Sequence, residues 1–354
     1  LNNKTALFLF DKGDACNIVQ GGFADALKSA GWKVIFRLPR SKLETRQCIE
    51  FYNISLVLTQ NNYGVRQLPV NVINDKNIGV ICHAFCYNDN NDTFEPFSEN
   101  VNPGDVELLK KINNLVMHSQ HEPEANERWF GNWARDGFKF IFTPHAANIT
   151  RLFPSAFDIQ RDTIFIGNAS HKPQAIKEWI IPILKKQNLR HQIFGGGWQN
   201  FGVNAQHLPP HYDNFNNMYP TSAVCLNLHS DPQRDMNVLF NDRSFIVPLC
   251  GGFSISDSSL ATRYFENVVP IAKTPKEYKE LTLDYIVNVE ERSKVIYESA
   301  KIVANNHTYS HRLQDIFKLM EWNEMAEEQK TVGQTFIDMY LENLEQVKNQ
   351  LGGE

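Results

Sequence analysis

Short apolar runs alternate with amphipathic stretches from the start of the chain. Thr5 to Phe10 is an almost unbroken apolar run of the kind a strand buried on both faces requires. It ends in Asp11-Lys12-Gly13-Asp14, and a helical pattern opens with Gly21-Gly22-Phe23-Ala24-Asp25-Ala26-Leu27. Lys33 to Phe36 reads as a second strand, Ser41 to Phe51 as a helix and Ile54 to Leu58 as a third strand. Ile78 to Cys82, Leu115 to His118 and Phe138 to Phe142 continue the series. Between them, Asn102 is an N-cap followed by Pro103 at N1, and a further helix covers Glu122 to Trp133. Strands separated by helices in this way predict a parallel sheet with right-handed crossovers.

The same grammar restarts at Asp162. Thr163 to Asn168 is a strand breaking into a Gly-Asn-Ala-Ser turn, followed by a helix from Pro173 to Lys186 and a strand from His191 to Phe194. The turn Gly195-Gly196-Gly197, a strand from Ala223 to Leu228, and a strand from Gly252 to Ser256 ending at Asp257 complete the second set. From Pro275 onward only helices are predicted, the last over Thr331 to Gln350 with Phe336, Met339, Tyr340 and Leu344 on one stripe. The expected fold is α/β: two Rossmann-like, doubly wound domains facing across a cleft, with C-terminal helices crossing back. The boundaries are 1–150, 151–315 and 316–354, the last segment packing on the first domain, with a hinge near Ala147 to Pro154. Ligands in such sheets lie outside the carboxyl ends of the strands.

Composition narrows the class. With 42% hydrophobic and 21% charged residues, fibrous and wholly disordered chains are excluded. Asp plus Glu outnumber Lys plus Arg by 40 to 35, so the net charge of -5 gives no global attraction to a polyanion. Without a spanning apolar segment or a cleavage-site pattern, a soluble cytoplasmic protein is expected. Six cysteines, at positions 16, 48, 82, 86, 225 and 250, are too sparse for a disulfide scaffold and read as reduced thiols. Arg37, Arg40, Lys42 and Arg46 form the only early basic cluster and read as a solvated face.

The stretch from Asn237 to Asp257 carries the strongest local chemistry. It places Asn241, Asp242 and Arg243 at a helix start, Gly251 and Gly252 at its end, and then a strand delivering Asp257. Helix-start amides suit a phosphate, the Arg243 guanidinium adds a planar fork, and Asp257 suits sugar or ribose hydroxyls. The plainer alternatives are a surface ion pair for Arg243 and a strand-end cap for Asp257. Gly196 in its glycine turn lets backbone approach a ligand and lets Trp198 stack on a flat ring, or else the turn is tight and Trp198 is core. Candidate acid–base groups are Asp14 after the first strand and His83, Asp89 and Asp92 after the fourth, with His118, His121 and His145 as further histidines near the same edge. Cys82-x-x-x-Cys86 beside His83 fits no common zinc spacing, so no metal site is expected.

From about Thr143 to Arg312 the sequence resembles the group-1-type glycosyltransferase family that includes the spore-maturation CgeB-like proteins. The resemblance rests on the order of Pro144-His145-Ala146-Ala147, Ile164 to Asn168, Phe194 to Trp198, Cys225 to His229, Asn241-Asp-Arg243-Ser-Phe245, Pro248 to Phe253, Asp257 and His307 to Arg312. It implies the two-lobed GT-B fold and hexosyl or pentosyl transfer from a nucleotide-diphosphate sugar, a co-substrate rather than a cofactor, without a metal. It also implies that the second lobe holds the donor, with Gly167, Asn168, Asn241 and Arg243 near the phosphates and Asp257 nearby. Gly196, Trp198, Gly251 and Gly252 join that donor set, and Gly21-Gly22 is a glycine-bearing loop at which such enzymes approach donor or acceptor. Relatives usually carry Glu directly after the Phe of the Arg-x-Phe motif; this chain has Ile246. The acceptor is a hydroxyl on a glycan, a protein or a modified nucleobase, with DNA disfavoured by the acidic balance. A nucleotide-sugar epimerase and a catalytically impaired nucleotide-sugar-binding module remain as alternatives.

Overall fold

A computed structural model describes residues 3–10, 14–60, 64–84, 102–123, 129–155, 158–170, 172–209, 211–230, 233–234 and 237–351. The chain divides into two compact units. The first comprises Leu1–Pro144 with Ser310–Gly333, and the second His145–Tyr309 with Gln334–Glu354.

The first unit holds β1 (Thr5–Phe8), β2 (Lys33–Phe36), β3 (Leu56–Gln60), β4 (Gly79–His83), β5 (Leu115–Ser119) and β6 (Lys139–Phe142). They form one six-stranded sheet in the order β2-β1-β3-β4-β5-β6, every neighbouring pair parallel. The helices are α1 (Asp14–Ser29), α2 (Lys42–Tyr52), α3 (Val70–Asp75), α4 (Pro103–Leu109) and α5 (Gly131–Arg135). Strand order reverses between β1 and β3, the switch point at which ligand sites form in such sheets. The N-cap acts as read at Asn102, which accepts from Gly104 N beside Pro103 at the start of α4, and Ser41, expected inside the helix, instead caps α2 by accepting from Glu44 N.

Gly21 and Gly22 differ from expectation. They lie inside α1 and form no loop, because the helix begins at Asp14. Ile18, Val19, Phe23, Ala26 and Leu27 are buried along that helix, and this tertiary burial outweighs the roughly 1 kcal/mol per residue that glycine costs in a helix. The pair therefore offers no loop backbone to a ligand.

The second unit holds β7 (Arg161–Ile166), β8 (His191–Phe194) and β9 (Ser222–Cys225) as a parallel sheet ordered β8-β7-β9. The expected strand over Gly252 to Ser256 appears as an extended segment whose Phe253 oxygen accepts from Cys225 N at 2.7 Å. Its helices are α6 (173–184, with a π turn over Ile176–Ile180), α7 (Tyr212–Met218), α8 (Arg243–Leu249), α9 (Ala261–Phe265), α10 (Pro275–Val287) and α11 (Val289–Asn306). Phe165, Ile176, Ile180, Trp198, Val224 and Tyr278 are fully buried in one apolar cluster beneath the sheet.

The C-terminal helices are α12 (Tyr309–Leu319) and α13 (Asn323–Leu351). In the first unit, Phe317 stacks on Trp32 and Gln329 donates to the Ala26 oxygen at 3.0 Å. Gly79 lets Trp322 reach β4: a Cβ there would stand 2.4 Å from the indole. Beyond Gly333 the last helix packs on the second unit instead, where the buried Tyr340 donates to the Leu249 oxygen at 2.8 Å. Residues 316–354 are therefore shared rather than all returned to the first unit. Among the described residues, no helix is long and apolar enough to cross a membrane.

Candidate functional site

The carboxyl edge of the second sheet gathers most of the side chains picked from the sequence. Gly167 directly follows β7, with φ +157. A Cβ at Gly167 would stand 2.3 Å from Nη1 of Arg243, so the glycine is what lets the guanidinium lie on the strand end. Arg243 Nη1 donates to the Ile166 oxygen at 2.9 Å and Nη2 to the Leu228 oxygen at 3.4 Å. Two of its five N–H groups are thus used on strand-end carbonyls. Its buried Nε has no hydrogen-bond partner among the described residues.

A second cation converges there that sequence reasoning missed. Lys172, 7% exposed, donates from Nζ to the same Leu228 oxygen. The Lys172 ammonium and the Arg243 guanidinium lie 5.7 and 5.8 Å from the centroid of the buried Phe165 ring. The signal available in the sequence was a lysine directly before the helix-opening Pro173, five residues after the strand-end glycine. Asn168 is exposed at this edge, and its Oδ1 accepts from Gly196 N at 2.7 Å, tying the β7 turn to the β8 turn.

Behind this edge lies a buried polar network. The Asp257 and His229 side chains are both 0% exposed and 2.6 Å apart. The backbone N–H of Asn241 donates to His229 Nε2 at 3.2 Å. A backbone N–H only donates, so the ring proton sits on Nδ1 and is given to Asp257. Asp257 also accepts from His229 N at 3.1 Å. Asn241 and Asn227 exchange side-chain hydrogen bonds of 3.1 Å in both directions, and Tyr278 Oη bridges the Asn227 backbone. Asn241 Oδ1 takes Ser244 N at 3.1 Å and Asp242 Oδ1 takes Arg243 N at 2.9 Å, so both side chains cap the start of α8.

This geometry revises several sequence readings. Amides at the start of α8 are already capped, so the charge available to an anion is that of Arg243 and Lys172. Asp257 and Asn241 have their oxygens committed to the protein and hold the loop from behind. Trp198 is 0% exposed, lies edge-on to Phe165 at 4.9 Å and donates from Nε1 to the Gly167 oxygen at 2.9 Å, so it is a core strut with no face for a ligand ring. Gly251 and Gly252 follow the far end of α8, where Gly251 has φ +81 and approaches Ser155. About seven residues at 1.5 Å each separate them from Arg243, so they shape the turn into the next extended segment. Ile246 is 2% exposed and packs in the core of α8.

At the carboxyl edge of the first sheet, His83 on β4 pairs with His118 on β5, ring centroids 5.1 Å apart. His118 is buried, contacts Thr143 Oγ1 at 2.9 Å through Nδ1, and is held well below the usual histidine range, first by burial and then by His83. It is a neutral ring. His121, also buried, contacts Ser119 Oγ at 2.8 Å. Asp14 opens α1, but its side chain, like Asp89, Asp92 and Cys86, lies outside the described residues. Burial raises the pKa of the thiols of Cys82, Cys225 and Cys250, which fits inert core cysteines rather than nucleophiles. Among the described residues, no group of three or more His, Cys, Asp or Glu is placed to hold a metal.

Comparison with known proteins agrees with this architecture. Residues 172–318 match the family described as glycosyl transferase-like. Sucrose-phosphate synthase from Thermosynechococcus elongatus superposes with a TM-score of 0.60 at 9% identity, covering 92% of this chain and 100% of that one. The DNA-modifying enzyme β-glucosyltransferase, with and without uridine diphosphoglucose, superposes at 0.54 and 11% identity, covering 95% and 99%. The T4 phage β-glucosyltransferase with UDP and Mn2+ gives 0.52 at 11% identity, covering 95% and 99%. No curated protein sequence matches the chain. The fold is GT-B, and the glycosyl transferase-like match on that fold supports a glycosyltransferase.

Proposed function

We propose that the chain is a nucleotide-sugar-dependent glycosyltransferase of the CgeB-like type, whose second unit holds the donor diphosphate on Arg243 and Lys172. The carrying observation is the convergence of these two cations on the Leu228 oxygen at the carboxyl edge of the sheet. A leaving nucleoside diphosphate gathers negative charge as the glycosidic bond breaks. Preorganised cations at that position lower the barrier by stabilising that charge more in the transition state than in the ground state. Gly167 and the exposed Asn168 supply the backbone and amide next to the cations. Since the charge is met by protein cations, transfer is expected to persist in a chelator.

For the acceptor hydroxyl we assign the general base to His83, a half-buried imidazole at the carboxyl end of β4. The acceptor is a hydroxyl on a glycan, a protein or a modified nucleobase, and the acidic net charge of -5 favours the first two. A second reading, a binding module without transfer, rests on Ile246, an apolar core residue where relatives carry Glu. Incubation with labelled nucleotide sugars, UDP-glucose first, separates the two. Transfer, or slow donor hydrolysis retained in chelator, is the expected result; saturable binding with no turnover of any donor favours the module, and isomerised sugar makes the protein an epimerase.

A further inference from the structure

Outside the donor edge, the described surface carries one concentration of exposed apolar side chains. Of the eight large hydrophobic residues exposed in the described structure, four fall between residues 36 and 51: Phe36 (52%), Leu38 (38%), Leu43 (63%) and Phe51 (80%). Leu43 and Phe51 stand eight residues apart on α2, two turns along one stripe, while Thr45 and Ile49 face inward. Leu38 and Phe51 line a common groove of about 390 Å3 with Arg37 and Tyr52.

Charge on this face runs against that of the chain. Residues 33–52 contain Lys33, Arg37, Arg40, Lys42 and Arg46 against Glu44 and Glu50, five minus two, or +3. The whole chain is -5, so the remainder carries -8. Arg46 pairs with Glu50 at 2.8 Å, whereas Arg37, Arg40 and Lys42 are exposed and make no ion pair among the described residues. The face also includes Phe36 of β2, an edge strand of the sheet.

We propose that this face docks on an anionic lipid surface, with Leu38, Leu43 and Phe51 entering the acyl boundary and Arg37, Arg40 and Lys42 meeting lipid phosphates. An interfacial segment needs aromatic and aliphatic groups beside cations on one face, and α2 with the loop before it provides both. The opposite sign of the remaining surface orients the chain, because an anionic bilayer attracts this face and repels the rest. Nucleic acid would satisfy the cations but leave the aliphatic Leu38 and Leu43 in water. A bilayer accepts both groups.

Sedimentation of the full chain with vesicles tests this. The protein is expected to sediment with phosphatidylcholine–phosphatidylglycerol vesicles, and far less with phosphatidylcholine alone. Leu43→Ser with Phe51→Ser should lower the partition constant by about tenfold or more. Arg37→Gln, Arg40→Gln and Lys42→Gln together should lower it by about 100-fold, roughly fivefold per cation, and remove its salt dependence. All five residues are exposed, so unchanged thermal midpoints are expected to accompany these losses. The proposal is overturned if wild type binds neither vesicle, if both variants bind as wild type does, or if this face retains an oligonucleotide while ignoring vesicles.

Discussion

Asp257→Ala is expected to destabilise the protein by about 3–5 kcal/mol, because it strips two buried donors of their acceptor at once. Those donors are His229 N at 3.1 Å and His229 Nδ1 at 2.6 Å, on a side chain that is 0% exposed. Asp257→Asn should cost less, since one oxygen still accepts, yet its amide N–H2 faces a donor. Denaturant unfolding at constant slope reads both values. A loss below about 1 kcal/mol for the alanine variant would mean that the pair is not the buried brace described here. Sequence reading alone put Asp257 on sugar hydroxyls, which predicts an effect on donor binding with stability unchanged.

Arg243→Ala should weaken UDP binding by about 10- to 100-fold while changing uridine binding by less than about threefold. A charge-assisted hydrogen bond to a phosphate is worth about 1.5–3 kcal/mol, and only the diphosphate makes it. Arg243→Lys should fall between, keeping the charge but losing the fork that spans the Ile166 and Leu228 oxygens. Isothermal calorimetry with the two ligands separates this from a structural role. If uridine affinity falls as much as UDP affinity, Arg243 merely pins the strand ends.

Strands and their order of succession were legible because the central ones, such as β1 and β5, are buried throughout and must be continuous apolar runs, and the half-exposed β2 and β8 keep enough of that pattern to show. β2 and β8 appear at the residues expected, and Asn102 with Pro103 caps α4 as read. What periodicity does not carry is the direction in which a side chain points after the chain turns. Trp198 looked like a stacking platform, but its indole is drawn inward by the Gly167 oxygen and the Phe165 ring. Gly21 and Gly22 read as a ligand-approaching loop through the family resemblance, although a helical pattern opens at the same residues, and burial of the neighbouring face holds them inside α1. Gly251 and Gly252 are close to Arg243 in sequence yet at the opposite end of α8. Lys172 and His229 meet partners distant along the chain, Leu228 for the first and Asp257 for the second, so the lysine before Pro173 and the histidine after the strand do not by themselves announce those contacts.

A crystal structure with UDP bound is expected to show phosphate oxygens within hydrogen-bonding distance of both Arg243 and Lys172, beside Gly167 and Asn168. UDP seated away from that edge, or bound there with neither cation touching a phosphate, would contradict the donor site assigned to these two cations.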